Sequence, residues 1–308
     1  MNVPTLAVMS RRRLIARGAA CLLLMTSLAA CSPDDDGARS GSTASTPTTT
    51  SPSPAPRPTA PTLEATADQA DLAGPAGLAE VVRTAGTLVR SGEVTLTVAA
   101  LSAPVSTDAQ EDGSVVLTIP VAVSPRSGTG RGTASRRVVA VLAAPSGMRF
   151  EVKSDQSATL LGSGGTVIGA LSAVAVVDGA GARVGAGLAA REIDAALLDV
   201  LVDAGSAGSA ILTFGATPLV SADWGEREGG RSLAVVPAPW VRTGSLAAQD
   251  ALWSALVAAQ ADADSTTMRD QLICHALGAP VKDSWNLEPW RPEVDSFTLL
   301  ATGCNPEP

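Results

Sequence analysis

The stretch SVVLTI at residues 114–119 decides the fold of the central part of the chain, because β-branched and apolar residues dominate it. Three further short runs have the same character: TLTV at 95–98, VVAVL at 138–142 and RFEVK at 149–153. Clusters of Gly, Ser, Pro and Asp separate these runs at short intervals. Many short strands with turn signals between them predict a sandwich or an irregular antiparallel sheet.

Flanking segments extend this pattern in both directions. Apolar residues at helical spacing predict a short amphipathic helix over residues 77–89. The segment DGAG at 178–181 predicts a hairpin turn between residues 173–177 and 183–188. Residues 193–202 are apolar on both faces, and we interpret them as a strand because their neighbours are strands.

The last ninety residues combine strand and helix signals. A strand is predicted over 231–236 and a helix from Ser245 through Ala259. The capping-box spacing of TMRD at 267–270 predicts a second helix over 268–277. Residues 283–292 are predicted to be irregular, because Glu288 and Arg291 each precede a proline. Residues 297–301 are predicted to form a closing strand.

Composition changes near residue 221. All five tryptophans and the single histidine lie beyond this point, whereas residues 63–220 contain no tryptophan. The change predicts an antiparallel β-rich domain over 63–220, followed by a small α+β domain over 221–308 that contains the tryptophans. The expected fold class is therefore mostly β with an α+β C-terminal module, closed by a disulfide if its two cysteines pair.

The N-terminus has the order of an export signal. Arginines at positions 11, 12, 13 and 17 precede an apolar run that ends in small residues before Cys31. The ending LAAC at 28–31 resembles the lipobox of bacterial lipoproteins. The resemblance implies that residues 1–30 are a cleaved signal peptide and that Cys31 carries diacylglycerol and fatty acyl chains such as palmitate, which anchor the chain to the membrane. The segment SRRRLI at 10–15 also leaves a twin-arginine export route open beside the general route.

Between the anchor and the folded part, residues 31–62 are rich in Ser, Thr, Pro and Ala. Such a composition cannot bury enough apolar surface to fold, so we predict a disordered linker that extends toward the cell wall. Loss of residues 1–30 removes four arginines and no acidic residue, which lowers the formal net charge from −8 to −12. This charge argues against nucleic acid as a partner and leaves the acyl chains as the membrane contact.

Two cysteines remain in the folded part, Cys274 and Cys304. In an oxidising compartment their most direct interpretation is a disulfide. The alternative is a metal site that they share with His275, but two thiols and one imidazole are an incomplete zinc set, so we expect no metal or other cofactor.

Three segments carry a family resemblance: MRDQLICH at 268–275, SWNLEPWRP at 284–292 and GCNP at 303–306. Together they resemble the C-terminal domain of unknown function 2599 (DUF2599) of secreted actinobacterial lipoproteins, over about residues 221–306. The resemblance implies a compact secreted module with its two cysteines paired. It implies no activity and no catalytic residue.

The candidate functional residues lie in the tryptophan-containing loop. Trp285 and Trp290 are interpreted as a possible stacking platform for sugar rings of cell-wall polysaccharide, with polar contacts from Glu288 and Arg291. Alternatively, Arg269, Glu288 and Arg291 form an ion-pair network that holds the loop over a helix.

Catalysis would have to use His275, because it is the only imidazole in the chain. Ser284 and Glu288 are the nearby nucleophile candidates. The sequence favours a non-enzymatic envelope lipoprotein with a binding or structural role at the outer face of the cytoplasmic membrane. A hydrolase centred on His275 is the alternative.

Overall fold

The computed structural model describes residues 77–123, 136–179, 181, 183–191 and 194–307. The predicted signal peptide, the lipidation site Cys31 and the linker over 31–62 lie outside the described residues. All described residues belong to one compact unit that spans Pro56–Pro308. None of the described helices is both long and apolar enough to cross a membrane.

Alternating burial shows why the predicted runs form strands. In the strand Val115–Val121 every second side chain, beginning with Val115, points into the core. The strands of the described residues, in chain order, are β1 Thr87–Ser91, β2 Val94–Ala100, β3 Ser106–Ala109, β4 Val115–Val121, β5 Arg136–Ala143, β6 Arg149–Val152, β7 Ala158–Leu161, β8 Val167–Leu171, β9 Ala175–Val177, β10 Arg183–Val184, β11 Ala186–Ala190, β12 Leu197–Asp203, β13 Gly208–Gly215, β14 Leu219–Arg227, β15 Gly230–Pro237 and β16 Trp285–Leu287.

The strands form three antiparallel sheets. The first has the order β1-β2-β5-β12-β11, and the second has the order β10-β9-β13-β8-β7-β6, with β4 between β13 and β3. One continuous apolar core joins the two, since Leu96 and Leu142 of the first sheet cluster with Leu117 and Leu212 of the second. The predicted antiparallel β-rich fold is confirmed, and the two large sheets pack as a sandwich.

The third sheet, β14-β15-β16, belongs to the C-terminal region together with most of the helices. The helices are α1 at residues 77–85, α2 Leu246–Ala259, α3 Thr266–Gly278 and α4 Ser296–Ala301, with short 3-10 helices at Pro239–Thr243 and Ala261–Ala263. A second apolar cluster contains Leu233, Leu252, Leu272 and Trp285, so sheet and helices share one core. The small α+β arrangement that the sequence predicts for this region is confirmed.

Helix α1 ends four residues before its predicted end. Gly86 donates its N–H to the carbonyl of Val82, and the chain then turns into β1, which includes Leu88 and Val89. A Cβ atom at Gly86 would lie 2.6 Å from Cγ2 of Thr97, so the turn needs a glycine to pass this close to β2. The buried face of α1, Ala79 and Val82, covers the outer side of the first sheet.

Three C-terminal predictions need correction. Helix α3 begins at Thr266 rather than 268, because Ser265 caps it by accepting from the N–H of Met268. Residues 297–301 form helix α4 and not a strand, because Asp295 accepts the N–H groups of Phe297 and Thr298. Residues Trp285–Leu287, predicted to be irregular, pair with β15 as strand β16.

The sandwich and the C-terminal region are joined at the start of α2. Ser245 caps the helix as predicted, and it accepts the N–H of Ala248. The sandwich supplies two more acceptors, since Asp155 Oδ2 accepts the N–H of Leu246 at 2.8 Å and Ser157 Oγ accepts that of Ala247 at 3.1 Å. Unpaired N–H groups in the first turn are thus satisfied by side chains from a β-turn about ninety residues earlier in the chain.

The carboxylate of Asp155 makes this junction sensitive to pH. Burial alone would raise its pKa, but hydrogen bonds from the Ser157 side chain and from the backbone N–H groups of Leu246 and Ser157 lower it below the ordinary value. A lowered pKa in the folded state means that the group stabilises the fold above its unfolded pKa. That contribution is lost as the pH falls through the folded pKa.

We therefore expect Asp155→Asn to lower the free energy of unfolding by about 1 kcal/mol at pH 7, as for a lost helix cap. The difference from the unsubstituted chain should shrink as the pH is lowered from 7 to 3, because the stabilisation by the carboxylate is lost as the pH falls below its unfolded pKa toward its folded pKa. Urea unfolding at the two pH values measures this. Asp108→Asn on the exposed strand β3 is the matched control, and an Asp155→Asn effect of the same size at both pH values would contradict the assignment.

Candidate functional site

Trp285, the first tryptophan of the predicted stacking platform, is a core residue. Its side chain is 0% exposed, and its Nε1 donates to the carbonyl of Ala279 at 3.1 Å. Strand β16 lies beside β15 and under α3, which places the indole inside the C-terminal core. Trp285 therefore cannot present its ring to a sugar in this structure.

Trp290 lies on the other side of the loop and is half-buried. A Cβ atom at Gly230 would lie 2.3 Å from its Nε1, so the ring packs against the turn between β14 and β15. The guanidinium of Arg291 lies 4.4 Å from its ring centroid. The two indoles form no shared surface, and the predicted platform of paired rings is corrected to one core ring and one packed against a turn.

The buried guanidinium of Arg291 joins three parts of the C-terminal region. Its Nε donates to Oε2 of Glu288 at 2.5 Å, and its Nη2 donates to Oε2 of Glu228 at the same distance. Its Nη1 donates to the carbonyl of Pro306 at 3.2 Å. Burial alone would lower the pKa of Arg291, but the hydrogen bonds to the two glutamates raise it above the ordinary value.

The predicted ion-pair network is thus right in Glu288 and Arg291 and wrong in Arg269. Arg269 pairs with Asp250 of α2 at 3.2 Å on the surface, and Glu228 takes the expected place beside Arg291. Gln271 of α3 is a residue that the sequence reasoning missed. Its amide accepts the N–H of Glu288 and donates to the carbonyl of Glu288, each at 2.9 Å, so it ties the loop to the helix.

Cys274 and Cys304 form a disulfide with their Cα atoms 5.7 Å apart, which confirms the predicted pair. The bond links α3 to the turn after α4. Since both thiols are consumed, the alternative metal site with His275 is not formed. No group of metal-binding side chains occurs in the part of the chain that the structure describes.

His275 lies on α3, next to Cys274, and is 3% exposed. Its Nε2 is 3.1 Å from the backbone carbonyl of Asn286, so this nitrogen carries the proton. Burial lowers the pKa of His275 below the ordinary value; the carbonyl of Asn286 opposes this shift, and the positive charge of Lys282 adds to it. The ring is therefore neutral at pH 7, and its Nδ1 offers a lone pair.

His275 and Glu288 line a small cavity that we call the polar pocket. It has a volume of about 50 Å³ and is lined by Arg227, Glu228, His275, Lys282, Ser284, Asn286, Glu288 and Asn305. Nδ1 of His275 and Oε1 of Glu288 are both buried and have no hydrogen-bond partner among the described residues. Buried polar atoms are nearly always paired in folded proteins, so two unpaired acceptors in residues that line one cavity indicate a place for a ligand or ordered water.

Sequence reasoning named His275, Ser284 and Glu288 as neighbours, and the structure brings all three to the polar pocket. It missed the remaining lining residues. Arg227 and Glu228 come from the end of β14, and Asn305 follows the disulfide. No local sequence signal could have found these three residues, because strand pairing and the disulfide bring them to the pocket.

A larger groove of about 590 Å³ lies where the sandwich meets the 3-10 helix Pro239–Thr243. Several of its polar side chains already have partners within the protein. Asp112 accepts the N–H of Trp240, Ser172 accepts that of Thr213, and Thr243 donates to the carbonyl of Trp240. The groove is large enough for a ligand, but none of its lining residues has a buried unpaired polar side-chain atom among those the structure describes.

Comparison with known proteins assigns the C-terminal region to a family without an assigned function. Residues 219–307 match the family described as "Protein of unknown function (DUF2599)", which confirms the resemblance found in the sequence. Every residue that lines the polar pocket lies inside this matched range. The family match does not extend to the sandwich.

The curated relatives also match only part of this chain. Uncharacterised proteins of Mycobacterium tuberculosis and Mycobacterium bovis are each 46% identical over 93 residues, which is 28% of this chain and 61% of theirs. An uncharacterised protein of Mycobacterium leprae is 43% identical over 65 residues, 20% of this chain and 53% of its own. The chain thus spans about three fifths of the first relatives it matches. No solved structure matches it.

Substitution of Arg291 tests the network that shapes the pocket. Arg291→Gln leaves the carboxylate of Glu288 buried without its positive partner, so we expect a loss of about 3 to 5 kcal/mol in the free energy of unfolding. Arg269→Gln, the matched control, removes only a surface pair and should cost less than about 1 kcal/mol. Urea unfolding of both variants makes the comparison, and equal losses would show that the Arg291 network does not hold the region together.

Proposed function

We propose that the protein is a lipid-anchored binding protein of the bacterial cell envelope, and that the polar pocket of its C-terminal region is the ligand site. The anchor is Cys31, at the outer face of the cytoplasmic membrane. We assign the ligand site to the cavity beside His275 and Glu288 and not to the predicted tryptophan platform, because Trp285 is buried and Trp290 is packed against a turn.

The unpaired atoms of the polar pocket carry this proposal. A buried acceptor without a partner costs about 1 to 3 kcal/mol, and more when it is charged. In the free protein, Glu288 Oε1 and His275 Nδ1 each have this energetic cost, and both residues line the same cavity. A bound group that donates to both atoms would recover it, which is a source of affinity that the larger groove lacks.

The predicted linker favours a ligand in the cell wall. The Pro-rich linker over 31–62 can extend by roughly 3 Å per residue, which places the folded part within reach of the wall while the acyl chains stay in the membrane. Soluble fragments of wall polymer, including the polysaccharide expected from the sequence, are therefore the ligands to test.

A hydrolase is the second candidate, since Ser284 and His275 line the same pocket and Nδ1 of His275 has a free lone pair. However, the group that orients the imidazole is the carbonyl of Asn286 and not a carboxylate. A carboxylate partner would stabilise the imidazolium that forms when histidine acts as a base. The lowered pKa of His275 also disfavours that protonated form, so the geometry supports binding better than hydrolysis.

The anchor is tested by Cys31→Ala. We expect the unsubstituted protein in the membrane fraction, labelled by a fatty-acid analogue, because two or more acyl chains bind membranes stably. The variant should lose the label and be released. Cys21→Ala, inside the predicted signal peptide, is the matched control and should behave like the unsubstituted protein. Labelling of Cys31→Ala by the fatty-acid analogue would refute lipid attachment at Cys31.

The binding site is tested by filling each cavity in turn. Ser284→Leu places a larger side chain at the polar pocket, whereas Ala173→Leu does so at the groove. We expect fragments from a muramidase digest of the wall to bind the full chain and Ala173→Leu equally, and Ser284→Leu at least tenfold more weakly. Calorimetry measures affinity, thermal unfolding checks folding, and mass spectrometry of the fragments detects cleavage.

The opposite order of affinities would place the site in the groove. Fragments that are shortened only when Ser284 and His275 are intact would favour the hydrolase. Absence of binding by all three proteins would reject the wall ligand.

A further inference from the structure

Both unpaired atoms of the polar pocket are hydrogen-bond acceptors. Oε1 of Glu288 belongs to a carboxylate whose other oxygen is held by Arg291 at 2.5 Å. Nδ1 of His275 bears a lone pair, because the ring proton is on Nε2 toward the carbonyl of Asn286. A ligand that satisfies them must therefore bring at least two donors.

The unpaired carboxylate oxygen of the pocket favours a cation. Glu288 is buried and shares the guanidinium of Arg291 with Glu228, which is 55% exposed and also pairs with Arg227 at 3.8 Å. Oε1 of Glu288 is therefore the buried anionic atom that has no partner among the described residues. His275 adds no charge in its neutral form. An ammonium group has a positive charge and several N–H donors, which suits both the charge and the two acceptors.

The rim has the opposite sign. Arg227 is exposed over 58% of its side chain and pairs with the exposed Glu228 at 3.8 Å, and Lys282 is also exposed. Both line the same cavity as the inner acceptors. These two cations would repel a lone ammonium, but they would attract a ligand that carries an anionic group next to its ammonium.

The volume limits what can enter. A water molecule needs about 10 to 15 Å³ of such space, so about 50 Å³ admits only a few non-hydrogen atoms. An ammonium and its attached carbon fit this limit, and the rest of the ligand must remain at the rim or outside.

We propose that the polar pocket binds an α-amino acid group, whose ammonium donates to Glu288 Oε1 and His275 Nδ1 and whose carboxylate lies between Arg227 and Lys282. This inference rests on the proposed function and names the chemical class of its ligand. The amino acid group is either free or lies at the end of a wall-peptide side chain that keeps an ammonium and a carboxylate on one carbon; the two ends of a peptide backbone do not, because the peptide bond uses one of the two groups.

The single histidine makes a direct experiment possible. The full chain with nitrogen-15 histidine has one pair of ring nitrogen resonances, and Nδ1 reports hydrogen bonding at the pocket. We expect glycine to shift the Nδ1 resonance in a saturable manner. Trimethylglycine keeps both charges but has no N–H donor, and it should cause no shift at the same concentrations.

Two variants separate the parts of the site. Lys282→Gln should weaken glycine binding by about two- to fivefold, the range of an exposed ion pair, and should not weaken methylammonium, which lacks the carboxylate. Ser284→Leu should abolish the glycine effect. Thermal unfolding confirms that both variants remain folded.

Three results would overturn the inference: equal shifts with glycine and trimethylglycine, a glycine shift that survives Ser284→Leu, or no shift at all. If glycine fails while wall fragments bind in a Ser284-dependent manner, the proposed function stands and the amino acid class is wrong. If glycine binds and wall fragments do not, the pocket serves free amino acids and the wall ligand is rejected.

Discussion

The hydrogen bonds of the buried Arg291 guanidinium are the constraint on which the rest of the C-terminal region depends. One side chain reaches the loop through Glu288, the β14–β15 hairpin through Glu228 and the chain end through Pro306. A buried ion is stable only when its partners are complete, because the cost of removing it from water is several kcal/mol. The three segments must therefore come together for any one of them to be stable, and this gives a region with a small core a cooperative structure.

The same constraint accounts for the polar pocket. Arg291 engages only one oxygen of Glu288, while Gln271 satisfies the backbone of the same residue. The second carboxylate oxygen is held in place by these contacts but is left without a partner among the described residues. His275 is held in a similar way, with one ring nitrogen fixed by a carbonyl and the other unpaired. A rigid frame with unused acceptors differs from a flexible surface, because a ligand would lose little of its binding energy in ordering the protein.

Local signals in the sequence predicted what local physics determines. Period-two patterns identified β2, β4, β5 and β6, and Ser245 identified the start of α2. The failures occurred where distant contacts decide. Residues 285–287 form a strand because β15 is available as a pairing partner. Glu228, and not Arg269, joins the ion-pair network because the β14–β15 hairpin brings Glu228 to Arg291, 63 positions later in the chain. Helix α4 was a missed local signal, since Asp295 is a favoured N-cap residue, but the short apolar run after it was interpreted as a strand.

The sandwich and the C-terminal region differ in where unpaired acceptors line a cavity. At their junction, Asp112, Asp155 and Ser157 each complete a backbone hydrogen bond of the C-terminal region, so the contact is saturated and serves to position it. The unpaired acceptors that line a cavity lie instead at the polar pocket, wholly within residues 219–307, the range that matches the family. A site that needs no residue of the sandwich can operate on different supports. Under the proposed function, the sandwich supports the smaller region, and the ligand chemistry belongs to the smaller region.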